Sequence, residues 1–375
     1  MVLYIALAAL AAWLHLAFFR AGFWRADQRL GISPKPSVWP RVTAVIPARD
    51  EAATISEVVR AHLAAAYPGD FSVVLVDDNS TDGTADIARL AAQDHSERLS
   101  VIAGKRLPQG WTGKLWAVRQ GVEAAMTKNP DYILLTDADI VLSSETLERL
   151  VAKAESENLA LASLMARLDA RGLWGGLLVP AFIYFFQKLY PFPLTNDPTS
   201  NVAGAAGGCV LVRTGALRNA GGVEAFKDNL IDDCALARRV KDLPPQTRIW
   251  LGLADNQARS LRDNRSLASV WNMVARTAYA QLRYSPLLLA GTVIGMALVY
   301  LAPPLIALSF AAHGDGVATV IALIAWGFMA RTYWPTLKTY GQQPWQAATL
   351  PIAAGLYSAM TIHSAIRHFR GRGGQ

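Results

Sequence analysis

The sequence predicts an α/β domain built on a mostly parallel sheet, with membrane helices before and after it. Three observations predict this. Buried-strand runs alternate with helical stretches from residue 41 onward, three of those strands end in acidic turns, and long uncharged apolar runs open and close the chain. Of 375 residues, 52% are hydrophobic, enough for a full core with apolar segments left for a bilayer. The formal charge of +7 forms no Lys/Arg-rich arm, and many basic residues flank apolar stretches. That arrangement favours a membrane surface over nucleic acid. Cys209 and Cys234 are too few for a disulfide framework and lack zinc-site spacing, which points to a reducing compartment.

Val2–Phe19 is apolar apart from His15, close to the roughly 20 residues that cross a hydrocarbon core. No basic stretch precedes it and Arg20 ends it, so residues 1–22 read as a retained anchor rather than a cleaved leader. Arg20, Arg25, Arg29, Lys35 and Arg41 follow against the single acid Asp27, which places the next domain on the cytoplasmic side.

Residues 42–46 and 72–76 are buried-strand patterns, followed by helical stretches over 54–66 and 84–93. A third strand pattern at 132–135 leads into Thr136-Asp137-Ala138-Asp139, and Ser143 or Ser144 is placed to cap a helix reaching Ser156. Strands alternating with helices imply a parallel sheet, in which ligands bind beyond the carboxyl ends of the strands. Asp50-Glu51, Asp77-Asp78 and Asp137-Asp139 should therefore gather on one edge. Acids so gathered repel one another and call for a cation or a donor-rich ligand. No Gly-x-Gly-x-x-Gly follows the first strand and no P-loop is present, so dinucleotide and P-loop chemistry are excluded.

Beyond this region, residues 287–312 carry no charge, and Pro303-Pro304 predicts a kink or break. Residues 317–334 return to form a hairpin. Residues 347–362 are short and contain Pro351 and Gly355, and a full crossing would put Arg367, Arg370 and Arg372 outside, so three or four spans remain open. Residues 173–186 look too short to span and are interrupted by Gly175, Gly176 and Pro180. They read either as a core helix or as an interfacial helix over 172–190.

Val45-Ile-Pro-Ala-Arg-Asp-Glu51, Val76-Asp-Asp-Asn-Ser-Thr-Asp-Gly-Thr84, Thr136-Asp-Ala-Asp139 and Asp232-Asp233-x-x-Leu236-x-x-Arg239 resemble, in order and spacing, the signature of glycosyltransferase family 2. Gly110-Trp-Thr-Gly-Lys-Leu-Trp-Ala117 and the segment from Trp271 to Pro286 resemble its hopanoid-biosynthesis-associated branch. The resemblance implies a GT-A fold over 41–285 with a C-terminal membrane region over 286–366. It also implies a nucleotide-diphosphate sugar donor (a UDP-sugar), a divalent cation (Mg2+ or Mn2+), inversion at the anomeric carbon and a lipid acceptor, a hopanoid or, alternatively, a polyprenyl phosphate. The expected setting is a multi-pass protein of the bacterial inner membrane.

By the same resemblance, Asp77 and Asp78 contact the nucleoside, and Pro47, Ala48 and Glu51 line base and ribose, although Arg49-Asp50 departs from the usual residues there. Asp137 and Asp139 serve the sugar and the metal. Lys114 adds a cation to the diphosphate, and Gly207 and Gly208 let backbone approach the donor sugar. Asp233 is the general base, with Asp232 in place of the usual Glu beside it, and Arg239 follows on the same helix. Arg276 meets a phosphate; Trp271-Asn-Met-Val-Ala-Arg276 does not match the Gln-x-x-Arg-Trp of processive synthases, which favours single-sugar transfer. A catalytically silent nucleotide-sugar scaffold would require a broken acidic set, and here Asp78, Asp137, Asp139 and Asp233 are all present.

Overall fold

A computed structural model describes residues 1–244 and 247–371. The chain divides into two compact units rather than three consecutive blocks: an α/β unit of Asp27–Leu168 and Leu194–Arg262, and a helical unit of Met1–Ala26, Asp169–Pro193 and Asp263–Gln375.

The α/β unit is built on a seven-stranded sheet of β1 (Val42–Ala48), β2 (Phe71–Asp77), β3 (Leu99–Ala103), β4 (Tyr132–Thr136), β6 (Leu161–Met165), β7 (Cys209–Arg213) and β8 (Ile249–Leu253). Its order is β3-β2-β1-β4-β7-β6-β8, and a two-stranded ribbon pairs β5 (Ile140–Leu142) with β9 (Ala258–Ser260). The sheet is mostly parallel, as the alternating pattern predicts, but β7 runs against both β4 and β6. Strands buried on both faces read as unbroken apolar runs, so their composition carries no direction.

Alternate strand residues feed two cores. Ala44, Ile46, Val73 and Leu75 join Val58, Val59, Leu147 and Leu150 from the helices Ile55–Leu63 and Thr146–Ser156. Val45, Val74 and Val76 face the opposite way, onto Leu115, Val118 and Val122 of the helix Gly113–Met126 and Leu236 and Val240 of the helix Asp232–Lys241. Gly121 allows the first of these helices to lie close. A Cβ there would stand 2.4 Å from Val45 Cγ1 and 2.9 Å from Val76 Cγ2. The helix expected to be capped by Ser143 or Ser144 starts at Thr146 without a side-chain cap, because the Ser143 hydroxyl pairs with that of Thr146 at 2.8 Å.

In the helical unit, four helices are long and apolar enough to cross a membrane: Val2–Phe19, Gly172–Leu189, Pro286–Leu308 and Gly316–Thr339. The second corrects the sequence reading, since the helix continues through Pro180 and reaches 18 residues instead of ending short. Residues 347–362 are not among the four. They fall in a 3-10 turn, Pro344–Thr349, and the helix Leu350–Phe369. Arg372 lies outside the described residues.

The helix runs on through Pro303-Pro304, where a kink or break is expected, with a π-helical turn at Ala297–Leu301 just ahead of the two prolines. Pro303 has no N–H for the carbonyl four residues earlier, that of Val299. The Trp13 indole N–H donates to that carbonyl at 2.7 Å instead.

Candidate active site at the strand ends

The loops leaving β1 and β2 lock into each other. The Asp50 carboxylate accepts the Thr81 N–H at 2.8 Å and the Asp82 carboxylate accepts the Ala52 N–H at 2.9 Å. The Ser80 and Thr84 hydroxyls accept the N–H groups of Asp50 and Glu51. Asp50 and Asn79 adopt left-handed backbone conformations, which Asp and Asn tolerate better than most residues. Asp77 belongs to this turn work as well, its Oδ1 accepting the Ser80 N–H at 3.2 Å. Asp78 points inward and is 8% exposed. Arg49 stands 3.7 Å from its carboxylate, and a Cβ on Gly113 would come within 3.3 Å of it, so that glycine lets the helix start lie against the acid.

Beyond β4 the two acids part. Asp137 pairs with Lys114 at 2.8 Å, while the Asp139 carboxylate accepts the Ser260 hydroxyl at 2.5 Å and faces Arg262 at 3.7 Å. The two carboxylates have different partners because the strand ends before them. β4 stops at Thr136 and the Ile140 N–H closes a turn onto the Asp137 carbonyl, so strand alternation does not extend to Asp139. Glu51 joins the Asp139 side, with Arg262 at 3.7 Å and the Thr54 hydroxyl at 3.0 Å. Burial raises its pKa; Thr54 and Arg262 oppose the rise, and Asp139 and Asp137 add to it.

Lys114 also reaches Asp232 at 3.4 Å. Burial works against its charge, but Asp137, Asp232 and Asp233 together hold its pKa above the ordinary lysine value. Asp233, next in the chain, is held by backbone: Gly207 N–H donates to Oδ2 and Cys234 N–H to Oδ1, both at 2.7 Å. Burial, and then the Asp232 charge, lift the Asp233 carboxyl to about 6. Gly207 leaves room at this approach: a Cβ there would stand 3.3 Å from Asp233 Oδ2, a tight contact, and 3.6 Å from Lys114 Nζ, an ordinary one.

Lys241, at the far end of the same helix, donates to the carbonyls of Leu194, Thr195 and Val202 at 3.2, 2.8 and 2.6 Å. The segment leading into Gly207 is thus tied to both ends of the helix that bears Asp233. Burial lowers the Lys241 pKa to about 8.

Pro47, Lys114, Asp137, Gly207, Asp232 and Asp233 line one small pocket, walled by Val118, Leu135 and Phe226. Other expected residues lie elsewhere. Ala48 is buried within β1, and Gly208 packs against Ile140 and Ala166, where a Cβ would meet the isoleucine at 3.0 Å. Arg239 is exposed, roughly 9 Å along the helix axis from Asp233. Arg276 belongs to the other unit, exposed on the helix Leu267–Gln281. Sequence reasoning missed Ser260 and Arg262, which reach Asp139 through the β5–β9 ribbon. Cys209, buried with its thiol pushed up to about 12, is a packing residue.

A mostly parallel sheet with one reversed strand, carrying a lysine among carboxylates beyond its strand ends, is the GT-A-like architecture of glycosyltransferases. The chain belongs to the family described as glycosyltransferase like family 2, which it matches over residues 40–279, and is a glycosyltransferase. It is 33% identical over 124 residues to an undecaprenyl-phosphate 4-deoxy-4-formamido-L-arabinose transferase of Pseudomonas fluorescens. That match takes in 32% of this chain and about a third (34%) of the relative's length. The fold resembles that of a mannosyltransferase from Pyrobaculum calidifontis solved in complex with GDP-Man and Mn2+. The TM-score is 0.56 at 20% identity, covering 99% of this chain and 100% of the other.

Proposed function

We propose that this protein is a membrane-bound inverting transferase that moves one sugar from a nucleotide-diphosphate donor to a lipid acceptor. The observation that carries the reading is the Asp233 carboxylate, fixed by two backbone N–H groups beside the Lys114–Asp137 pair. Each carboxylate oxygen keeps a second lone-pair site free, so Asp233 is able to accept a proton from an incoming hydroxyl without leaving its place. A carboxyl lifted to about 6 is a stronger base than an ordinary aspartate and is still ionised at pH 7. In this reading Lys114 supplies positive charge where a diphosphate would leave, and Asp78 accepts from base or ribose. Four apolar helices and the lipid-phosphate substrate in the name of the Pseudomonas relative support membrane attachment.

In this reading a divalent cation is held by one or two carboxylates on this edge, Asp137 on the Lys114 side or Asp139 with Glu51 on the Arg262 side. Asp137, Asp139 and Glu51 offer hard oxygen ligands, and no three His, Cys, Asp or Glu side chains among the described residues close a metal cluster by themselves. That is the situation of Mg2+ or Mn2+, which takes one or two carboxylates and completes its shell with phosphates and water. When bound, such an ion offsets charge on the leaving diphosphate. The protein's own residues orient the donor and hold the base.

The name of the Pseudomonas relative favours a polyprenyl phosphate as acceptor, and the hopanoid-branch resemblance favours a hydroxyl-bearing terpenoid. The two differ in what they ask of Asp233. A phosphate monoester is already largely anionic near neutral pH and needs no base, whereas a hydroxyl does. Release of nucleotide diphosphate should be measured with UDP-sugars and then GDP-sugars, Mn2+ and each lipid class, for wild type and Asp233→Asn. Loss of release in the variant with a hydroxyl lipid identifies a base-dependent acceptor; release that persists with polyprenyl phosphate identifies the other. Binding of nucleotide sugar without release under any of these conditions would leave a scaffold and sink the transferase reading.

A further inference from the structure

We infer that Arg20 and Lys188 form a binding site for the phosphate group of a membrane lipid. The inference rests on the membrane reading of the helical unit given above. Lys188 lies in the last turn of the helix Gly172–Leu189, and Arg20 directly follows the N-terminal helix. Arg20 Nη2 donates to the Lys188 carbonyl at 3.3 Å, so the two cations start from the same helix end. The Lys188 ammonium donates to the Tyr300 hydroxyl at 3.0 Å and lies 4.8 and 5.3 Å from the ring centroids of Tyr300 and Phe185.

What these cations lack is an acid. Three acidic residues, Asp169, Asp263 and Asp315, stand among twelve Lys and Arg in this unit. All three are engaged elsewhere. Asp169 takes Arg171 at 2.9 Å and Arg265 at 3.8 Å, Asp263 takes Arg265 at 3.0 Å, and Asp315 caps a helix through the Ala318 N–H at 2.9 Å. Among the described residues neither Arg20 nor Lys188 has a carboxylate partner.

Helix C-termini favour one cation each, and aromatic faces supply part of a counter-charge. Neither uses the remaining ammonium and guanidinium donors. Two like charges in an apolar surround are costly unless an anion joins them, and an ionisable residue within membrane helices is a functional-site candidate for that reason. A phosphate has acceptor oxygens enough for both side chains and takes charge-assisted bonds from each. The flanking residues favour phosphate carried on a lipid over the free ion: Phe18, Phe19 and Leu189 are exposed apolar groups next to the two cations.

The test uses the full chain in a maltoside micelle free of phosphate, titrated with polyprenyl phosphate, phosphatidylglycerol and inorganic phosphate. Lipid binding should be about tenfold weaker in Lys188→Met and in Arg20→Gln and retained in Lys188→Arg. Loss confined to polyprenyl phosphate assigns the site to an acceptor, and loss with both lipids assigns it to bilayer phospholipid. Equal binding by wild type and both neutral variants, binding of inorganic phosphate alone, or no binding at all would overturn the site. Nucleotide-sugar affinity measured on the same samples reports folding. Its absence from wild type would count against the proposed function and leave the lipid result standing.

Discussion

In the α/β unit, charge is met by charge. Lys114 lies between Asp137 and Asp232, Arg262 between Glu51 and Asp139, and Arg213 against Glu155 at 2.8 Å. In the helical unit the bonds between helices, Lys188 to Tyr300 apart, are made by uncharged groups. The Tyr184 hydroxyl meets that of Thr332 at 2.9 Å, Gln187 donates to Thr336 at 3.2 Å, Tyr357 to the Leu178 carbonyl at 2.9 Å, and Trp13 to Val299. The formal charges divide accordingly. The helical unit carries three acids against twelve bases, +9, while the whole chain carries +7, which leaves the α/β unit at −2. The comparison shows where ionisation serves chemistry. Acids collect beyond the strand ends, and the apolar helices close their backbone with groups that pay no ionic desolvation penalty.

The largest effect should come from the charged side. With a hydroxyl acceptor, Asp233→Asn should lower kcat by about 10²–10⁴-fold while nucleotide-sugar affinity holds. Rates against pH sharpen the same point. With Asp233 as the proposed base and its carboxyl raised to about 6, kcat/KM should be flat above that value and fall about tenfold per pH unit well below it. A flat profile down to pH 4.5 would remove Asp233 as base. Next in size, Lys241→Met strips three buried carbonyls of a shared donor and should cost about 3 kcal/mol in denaturant unfolding. Gly121→Ala drives a methyl into Val45 and should cost about 2 kcal/mol in the α/β unit. Smallest, Trp13→Phe orphans one carbonyl and should cost about 1–2 kcal/mol of helical-unit stability, with nucleotide-sugar binding unaltered. If Trp13→Phe weakened donor binding as much as Asp233→Asn weakens turnover, the division of labour between the units would be wrong.

The readable parts of this molecule were those in which one local run of residues determines the outcome. The apolar cores of β1, β2 and β4 were legible, as was the placement of Lys114, Asp137 and Asp233 near one pocket. What stayed hidden depends on distant partners. Asp139 is turned away from Asp137 by Ser260, 121 residues later. The direction of β7 is set by pairing with β4 and β6, and nothing in Cys209–Arg213 encodes it. Residues 173–186 looked short because glycine and proline read as interruptions. The helix absorbs them, since Gly175 and Gly176 lie in close contact, a Cβ on Gly175 standing 3.1 Å from the Ala170 carbonyl carbon.

The bond from Trp13 to Val299 spans 286 residues and gives the chain a schedule. The indole leaves the ribosome 286 residues ahead of the carbonyl it must satisfy, which arrives only after the whole α/β unit has been made. At roughly 5–20 residues per second, that is an interval of about 15–60 s. During it the N-terminal helix waits with an unclaimed donor, and the proline-bearing helix, once made, has an unclaimed acceptor until the two meet. Assembly of the helical unit is therefore a closing event that follows synthesis of the α/β unit, and a chain lacking its first helix would carry that open acceptor for its lifetime.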